Sequence, residues 1–308
     1  MTEEMMISVE NIEKNYGEVK ALRGVSLDVK EGELFGLIGP DGAGKTSLIR
    51  ILVTLLKPDA GSATVNQLDV VDDFRKLRKQ LGYMPGRFSL YPDLSVEENM
   101  NFFATVFGTT IEENYDLVKD IYQQIEPFKE RLAGRLSGGM KQKLALSCAL
   151  IHAPKVLILD EPTTGVDAVS RKEFWEMLKR LQKMGITILV STPYMDEANL
   201  CDRVALIQDG NILTIDTPEK VTQSFAHKLW AIRSDNMYLC IRHLREHPEA
   251  ESVFGFGEYL HVTWKNQEMK AEEMKNYLAG LGHSNVEVKE TEPGIEDVFM
   301  DLMQKHDS

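Results

Sequence analysis

Apolar residues fall in short, nearly unbroken runs set between longer stretches of helical spacing. Leu34-Phe35-Gly36-Leu37-Ile38, Val156-Leu157-Ile158-Leu159 and Ile186-Thr187-Ile188-Leu189-Val190-Ser191 are strand-length and read as strands covered on both faces. Residues 7–29 alternate instead and predict two or three strands, turning near Asn15-Tyr16-Gly17 and Lys30-Glu31-Gly32. Residues 61–66 and 81–84 are further short strands, with a polar helix over 72–80 between them. From Ser95 to Arg135 the pattern is mostly helical. Ser95 followed by Glu98 marks a capping box, and Ile111 to Ile125 gives another helix. Helices running from about Ser137 to His152 and from about Ala168 to Met184, the latter capped by Gly185, separate the later strands. Strands alternating with helices in this way imply an α/β fold with a mostly parallel sheet, here carrying a helical insert over about 88–135.

After two short strands in 203–216 and a helix opening at Pro218, the pattern changes near residue 225. Lys228–Arg233 reads as a strand and Met237–Glu246 as a helix. Val253-Phe254 and Tyr259–Trp264 form a hairpin, followed by a helix over Gln267–Leu281 and a strand at Val286–Lys289. This β-α-β-β-α-β order predicts a small α+β, ferredoxin-like unit. A last helix after Pro293-Gly294 carries the apolar stripe Ile295, Val298, Phe299, Leu302 and Met303, which reads first as packing on its own chain. Two domains are therefore expected, 1–224 and 225–308.

A length of 308 residues with 43% hydrophobic composition supports both cores. The net charge of −13 argues against general nucleic-acid binding. Three scattered cysteines, Cys148, Cys201 and Cys240, suggest a reducing compartment and packing roles, and no His/Cys spacing suggests a metal site. No apolar stretch approaches the length of a membrane span, and the start lacks a signal-peptide pattern. A cytoplasmic location is expected, with any membrane role depending on a partner.

Candidate chemistry concentrates at Gly39-Pro40-Asp41-Gly42-Ala43-Gly44-Lys45-Thr46, between a strand and the helical run Ser47-Leu48-Ile49-Arg50-Ile51-Leu52. Strand, glycine-rich turn, Lys-Thr and helix form a phosphate-binding loop. Glycines let backbone N–H groups close around phosphate oxygens, and the helix N-terminus adds partial positive charge. Lys45 reaches terminal phosphates, and the Thr46 hydroxyl suits Mg²⁺. The strand Val156–Leu159 ends in Asp160-Glu161, where packing alone would not place two carboxylates. Asp160 is positioned for Mg²⁺. Glu161, one residue on, falls on the other face and is placed to orient an attacking water. Leu136-Ser137-Gly138-Gly139-Met140 opens a helix whose free N–H groups suit either a phosphate or ordinary capping. Tyr16 reads either as a turn aromatic or as a platform for a base.

Taken in order, the phosphate loop, Leu136-Ser137-Gly138-Gly139-Met140 and Leu159-Asp160-Glu161-Pro162 resemble the nucleotide-binding subunit of ATP-binding-cassette (ABC) transporters over residues 5 to 220. The resemblance implies a P-loop cassette with an antiparallel β subdomain. It also implies a head-to-tail dimer in which each ATP lies between one subunit's phosphate loop and the other's signature, matched here by Ser137 to Met140. Carried onto this sequence, ATP contacts fall to Tyr16, Gly39, Pro40, Asp41, Gly42, Ala43, Gly44, Lys45, Thr46 and Ser47. Ser137, Gly138, Gly139 and Asp167 serve the facing subunit. Thr46 and Asp160 hold Mg²⁺, and Glu161 and Lys45 are catalytic. Residues 87–91 lie where the family meets an integral-membrane permease. The segment Gly294-Ile295-Glu296-Asp297-Val298-Phe299 is similar to the tail of multidrug- or daunorubicin-resistance-type exporter ATPases, which implies export and a place on the cytoplasmic face of the cell membrane.

Three positions depart from the family pattern. Asp41 stands where Asn is usual. Gly86 stands where the family has the Gln that helps coordinate Mg²⁺ and senses the γ-phosphate. Pro193 stands where it has a His that contacts the γ-phosphate and holds the attacking water. Glycine offers no side chain and proline neither a side-chain donor nor an N–H. The expectation is an asymmetric dimer whose second cassette keeps both groups. A slow homodimer, a purely regulatory ATP-binding subunit and a non-transport ATP-driven switch on nucleic acid or ribosomes are the rivals.

Overall fold

A computed structural model describes residues 4–307, which form two compact units, one ending at Pro218 and the other starting at Glu219. The first is built on a six-stranded sheet in the order Asn211–Asp216, Arg203–Gln208, Leu34–Ile38, Thr187–Thr192, Val156–Asp160, Leu81–Met84. Every neighbouring pair is parallel except the hairpin Arg203–Gln208/Asn211–Asp216. Leu34–Ile38, Val156–Asp160 and Thr187–Thr192 are buried at every position, which is why they read as continuous apolar runs.

Parallel pairing brings the carboxyl ends of four strands to one edge. The loops starting at Gly39, Pro85, Glu161 and Pro193 therefore emerge together. A second, antiparallel sheet has the order Val19–Lys30, Met5–Tyr16, Ala60–Val65, Leu68–Asp69, and its alternating apolar face joins the core with Ile7, Val9, Leu27 and Val65.

The helical insert holds Val96–Phe107 and Tyr115–Tyr122, and Gly138–Leu150 follows it. At Ser95 both halves of the capping box form: Glu98 N–H donates to Ser95 Oγ at 3.1 Å and Ser95 N–H to Glu98 Oε2 at 2.7 Å. Ser95→Ala is expected to cost about 1 kcal/mol, read as a lower urea midpoint with an unchanged slope. The helix foreseen over 111–125 is shorter. Glu113 Oε2 accepts from Thr109 Oγ1 (2.7 Å) and Thr110 N–H (3.2 Å), a local turn that competes with helical bonding. The polar helix foreseen over 72–80 contracts to Phe74–Leu77.

The second unit has a four-stranded antiparallel sheet in the order Ala250–Phe256, Tyr259–Trp264, Leu229–Arg233, Glu287–Thr291, with helices Met237–Arg245 and Ala271–Gly280. That order, with the first and third strands in the middle, is the ferredoxin-like arrangement. Trp230, Ile232, Val262, Trp264, Cys240, Leu244, Met274 and Leu278 form its core. In the final helix, Ile295–Asp307, Ile295, Val298 and Phe299 are buried, and Leu302 and Met303 only partly. Among the described residues no helix is long and apolar enough to cross a membrane.

Candidate functional site

The loop after Leu34–Ile38 needs its glycines for space and for backbone conformation. A Cβ on Gly39 would stand 2.2 Å from Ile207 O, and one on Gly44 2.5 Å from Ala21 O. Gly42 and Gly44 also have φ of 84° and 106°, the left-handed region that side chains disfavour. Gly44 is the N-cap of the helix Lys45–Leu52 and no side chain caps it, so the first N–H groups of that helix are left to an anion. A glycine cradle, an uncapped helix start and a buried lysine fit a polyphosphate.

Lys45 is held with its ammonium donating to Gly39 O at 2.7 Å and Pro40 O at 2.9 Å, and 3.0 Å from Glu161 Oε1. Thr46 Oγ1 donates to Asp160 Oδ1 at 3.1 Å, and Ser191 Oγ donates to the same oxygen at 2.9 Å. Burial, then the adjacent Glu161 charge, pushes the Asp160 carboxyl above its ordinary value. The two hydroxyls and the Arg50 charge oppose this. A buried carboxylate facing a hydroxyl is the donor set a hard divalent cation takes.

Glu161 does not lie where strand alternation puts it. The strand stops at Asp160, and Glu161 turns with φ 49°, its N–H shared between Ser191 O and Ser191 Oγ at 3.1 Å each. The expected placement on opposite faces is therefore corrected: both carboxylates line one cavity of about 500 Å³, together with Thr46, Gly86, Arg87 and Thr164.

Pro193 follows Thr192 in a segment fastened from below. Glu197, 2% exposed, accepts from Thr163 Oγ1 at 2.9 Å and from Thr192 Oγ1, with Arg171 Nε 3.8 Å away. Ser191, Thr163 and Glu197 were not legible as site residues. The faint signals were a hydroxyl closing an apolar strand and a carboxylate in an otherwise packed turn.

Tyr16 is half exposed, with its hydroxyl 3.4 Å from Ser47 Oγ. Ser137 caps its helix by accepting from Met140 N–H at 3.4 Å. Asp167 caps the helix Ala168–Lys183, accepting from Ser170 N–H (3.0 Å) and Val169 N–H (3.1 Å), and these bonds hold its carboxyl below the usual range. The two helix starts touch. A Cβ on Gly139 would fall 2.7 Å from Ser170 Oγ, and one on Gly138 3.8 Å from Gly165 O. Neither Ser137 nor Asp167 lines the cavity at Asp160. The site residues thus form two groups within one chain: the phosphate loop with Asp160 and Glu161, and the signature with Asp167.

In the loop after Pro85, Phe88 and Tyr91 are exposed, and Lys141 of the signature helix rests over the Phe88 ring at 5.3 Å. Beside it runs an apolar groove of about 690 Å³ between Leu55, Leu90, Phe103, Val106 and Phe107.

The sequence profile described as ABC transporter matches residues 22–164. The Escherichia coli "probable multidrug ABC transporter ATP-binding protein YbhF" is 39% identical over 305 residues, covering 97% of this chain and 52% of its own length. The chain thus spans about half of that relative. The "Nod factor export ATP-binding protein I" of Burkholderia lata is 39% identical over 221 residues, 71% of this chain and 73% of that protein. Among solved structures, the cassette MJ0796, a dimer in a post-hydrolysis state bound to ADP and Pi, superposes with a TM-score of 0.62 at 27% identity. It covers 69% of this chain and 98% of that one. The glycine cradle, the Lys45–Thr46–Asp160–Glu161 cluster and these likenesses agree: the chain belongs to the ABC transporter family.

Proposed function

We propose that this chain is the ATP-binding subunit of a membrane exporter and works in an asymmetric dimer with a second cassette. One observation carries the reading. Lys45 bonds Glu161 and Thr46 bonds Asp160 at one strand edge, where Gly86 lines the same cavity as the two carboxylates and the parallel strand Thr187–Thr192 ends at Pro193. On this reading Lys45 exchanges its bond to Glu161 for the terminal phosphates of ATP. Thr46 and Asp160 hold Mg²⁺, which supplies charge neutralisation at those phosphates. Glu161, released from Lys45, faces the water and acts as base in whatever turnover this site has. Tyr16 meets the adenine.

Ser137, Gly138, Gly139 and Asp167 lie apart from this cluster, so they serve a site on the facing subunit, where Ser137 and the free N–H groups of its helix meet phosphate. That facing site does most of the hydrolysis. The exposed Phe88 and Tyr91 and the apolar groove beside them receive a permease on the cytoplasmic face of the membrane. The names of the relatives support export; the second unit, from Glu219, is an accessory domain of the same subunit.

The experiment is purification of the tagged chain from detergent-solubilised native membranes. Recovery of a permease and a second cassette carrying both Gln and His is expected. A permease with this chain alone overturns the asymmetry and leaves a homodimer turning over slowly through Glu161. Ribosomes or nucleic acid without a membrane protein overturns the transport reading altogether.

A further inference from the structure

We propose that Arg87 is the group by which this site distinguishes ATP from ADP, a guanidinium serving the terminal phosphate beside a position that has no side chain. The proposal rests on the ATP reading above. Gly86 lies close against the carboxylate pair: a Cβ built there meets Asp160 O at 2.9 Å and Glu161 Cβ at 3.8 Å. Position 87 is therefore held one residue from the carboxylates, and Arg87 lines the same cavity of about 500 Å³ as Thr46, Asp160 and Glu161.

The charges of that cavity are unevenly committed. Asp160 is engaged by Thr46 and Ser191, and Glu161 by Lys45 and Thr164. Arg50, one helical turn after Thr46, acts on Asp160 and Tyr83. Arg87 is exposed and, among the described residues, has neither an ion-pair nor a hydrogen-bond partner. Lys45 bonds Glu161 Oε1 at 3.0 Å, and Glu161 lines the cavity that Arg87 also lines. A guanidinium offers paired donors that match two phosphate oxygens.

It has no acceptor, so it grips phosphate without taking a proton from the attacking water. On the asymmetric reading, a cation beside a position with no side chain favours keeping ATP bound, which suits a subunit whose partner does the turnover.

The test is titration of the purified full chain with Mg-ATP and Mg-ADP by calorimetry, for wild type, Arg87→Ala and Arg87→Lys. Arg87→Ala is expected to weaken ATP about ten- to hundredfold and to leave ADP within about twofold, with Arg87→Lys intermediate. Equal losses for the two nucleotides, or none, overturn the role of Arg87 and leave the nucleotide site standing. A wild-type chain that binds neither nucleotide overturns the ATP reading itself. Because Arg87 is exposed and unpaired, the thermal midpoints of the variants should match wild type, which separates lost contacts from lost fold.

Discussion

Ser137→Arg, made in this chain and assembled with its partners, is expected to silence ATP hydrolysis by the complex while this chain's own phosphate loop still binds ATP. Ser137 is the cap of the helix Gly138–Leu150, its oxygen accepting from Met140 N–H. Arginine removes that cap, which costs on the order of 1 kcal/mol in the helix. The larger effect is steric. The N–H groups of a helix start work on an anion only at direct contact, and a long side chain at the cap holds the facing phosphate away. Loss of one such donor set costs about 10²–10³ in rate. The measurement is steady-state ATPase of the co-purified complex, with nucleotide binding to the isolated variant chain as control. Undiminished hydrolysis would mean that this signature completes no working site.

The second large effect runs the other way. Gly86→Gln together with Pro193→His should raise hydrolysis at this chain's own phosphate loop by about 10²–10³. Gly86 does not have a positive φ, so its backbone conformation accepts a side chain, but a built Cβ stands 2.9 Å from Asp160 O and the loop after Pro85 must move off that carbonyl to admit one. Position 193 is already fixed from both sides, by Thr192 Oγ1 donating to Glu197 and by Tyr194 N–H donating to Thr192 Oγ1 at 3.1 Å. Histidine there also regains the N–H that proline lacks. Single-turnover hydrolysis in a complex whose partner site has been disabled reads this site alone. If the double variant is no faster than wild type, the two substitutions are not what holds the site back, and Glu161, tied to Lys45 and Ser191, becomes the residue to examine.

Much of the molecule was legible because its determinants are local. The phosphate loop is one contiguous run in which Gly39 and Gly44 each answer a contact a few ångströms away. The second unit's order followed from alternation, since Leu260, Val262 and Trp264 do share its core. What stayed hidden depends on contacts across the chain or on one backbone angle. Ser191 bonds Asp160 across a gap of 31 residues, and Thr163 bonds Glu197 across 34, distances at which no spacing rule operates. Alternation placed Glu161 wrongly because it assumes an extended residue, and φ 49° is not one. The helix foreseen at 111–125 failed at its start for a local reason instead: Thr109, Thr110 and Glu113 satisfy one another before a helix can.

The Lys141 ammonium over the Phe88 ring ties the helix Gly138–Leu150 to the loop after Pro85 at a point outside the Asp160–Glu161 cavity. Lys141 stands one turn past Ser137 and Phe88 is exposed in the loop after Pro85; the proposed function gives the helix to the facing subunit's nucleotide and the loop to a permease. On the two-chain reading, a pull on that helix reaches the membrane partner without passing through Glu161. The permease would then feel each ATP twice from the dimer, once from the subunit that splits it and once from this one. Slow turnover at Asp160 and Glu161 would leave this arm of the machine in gear.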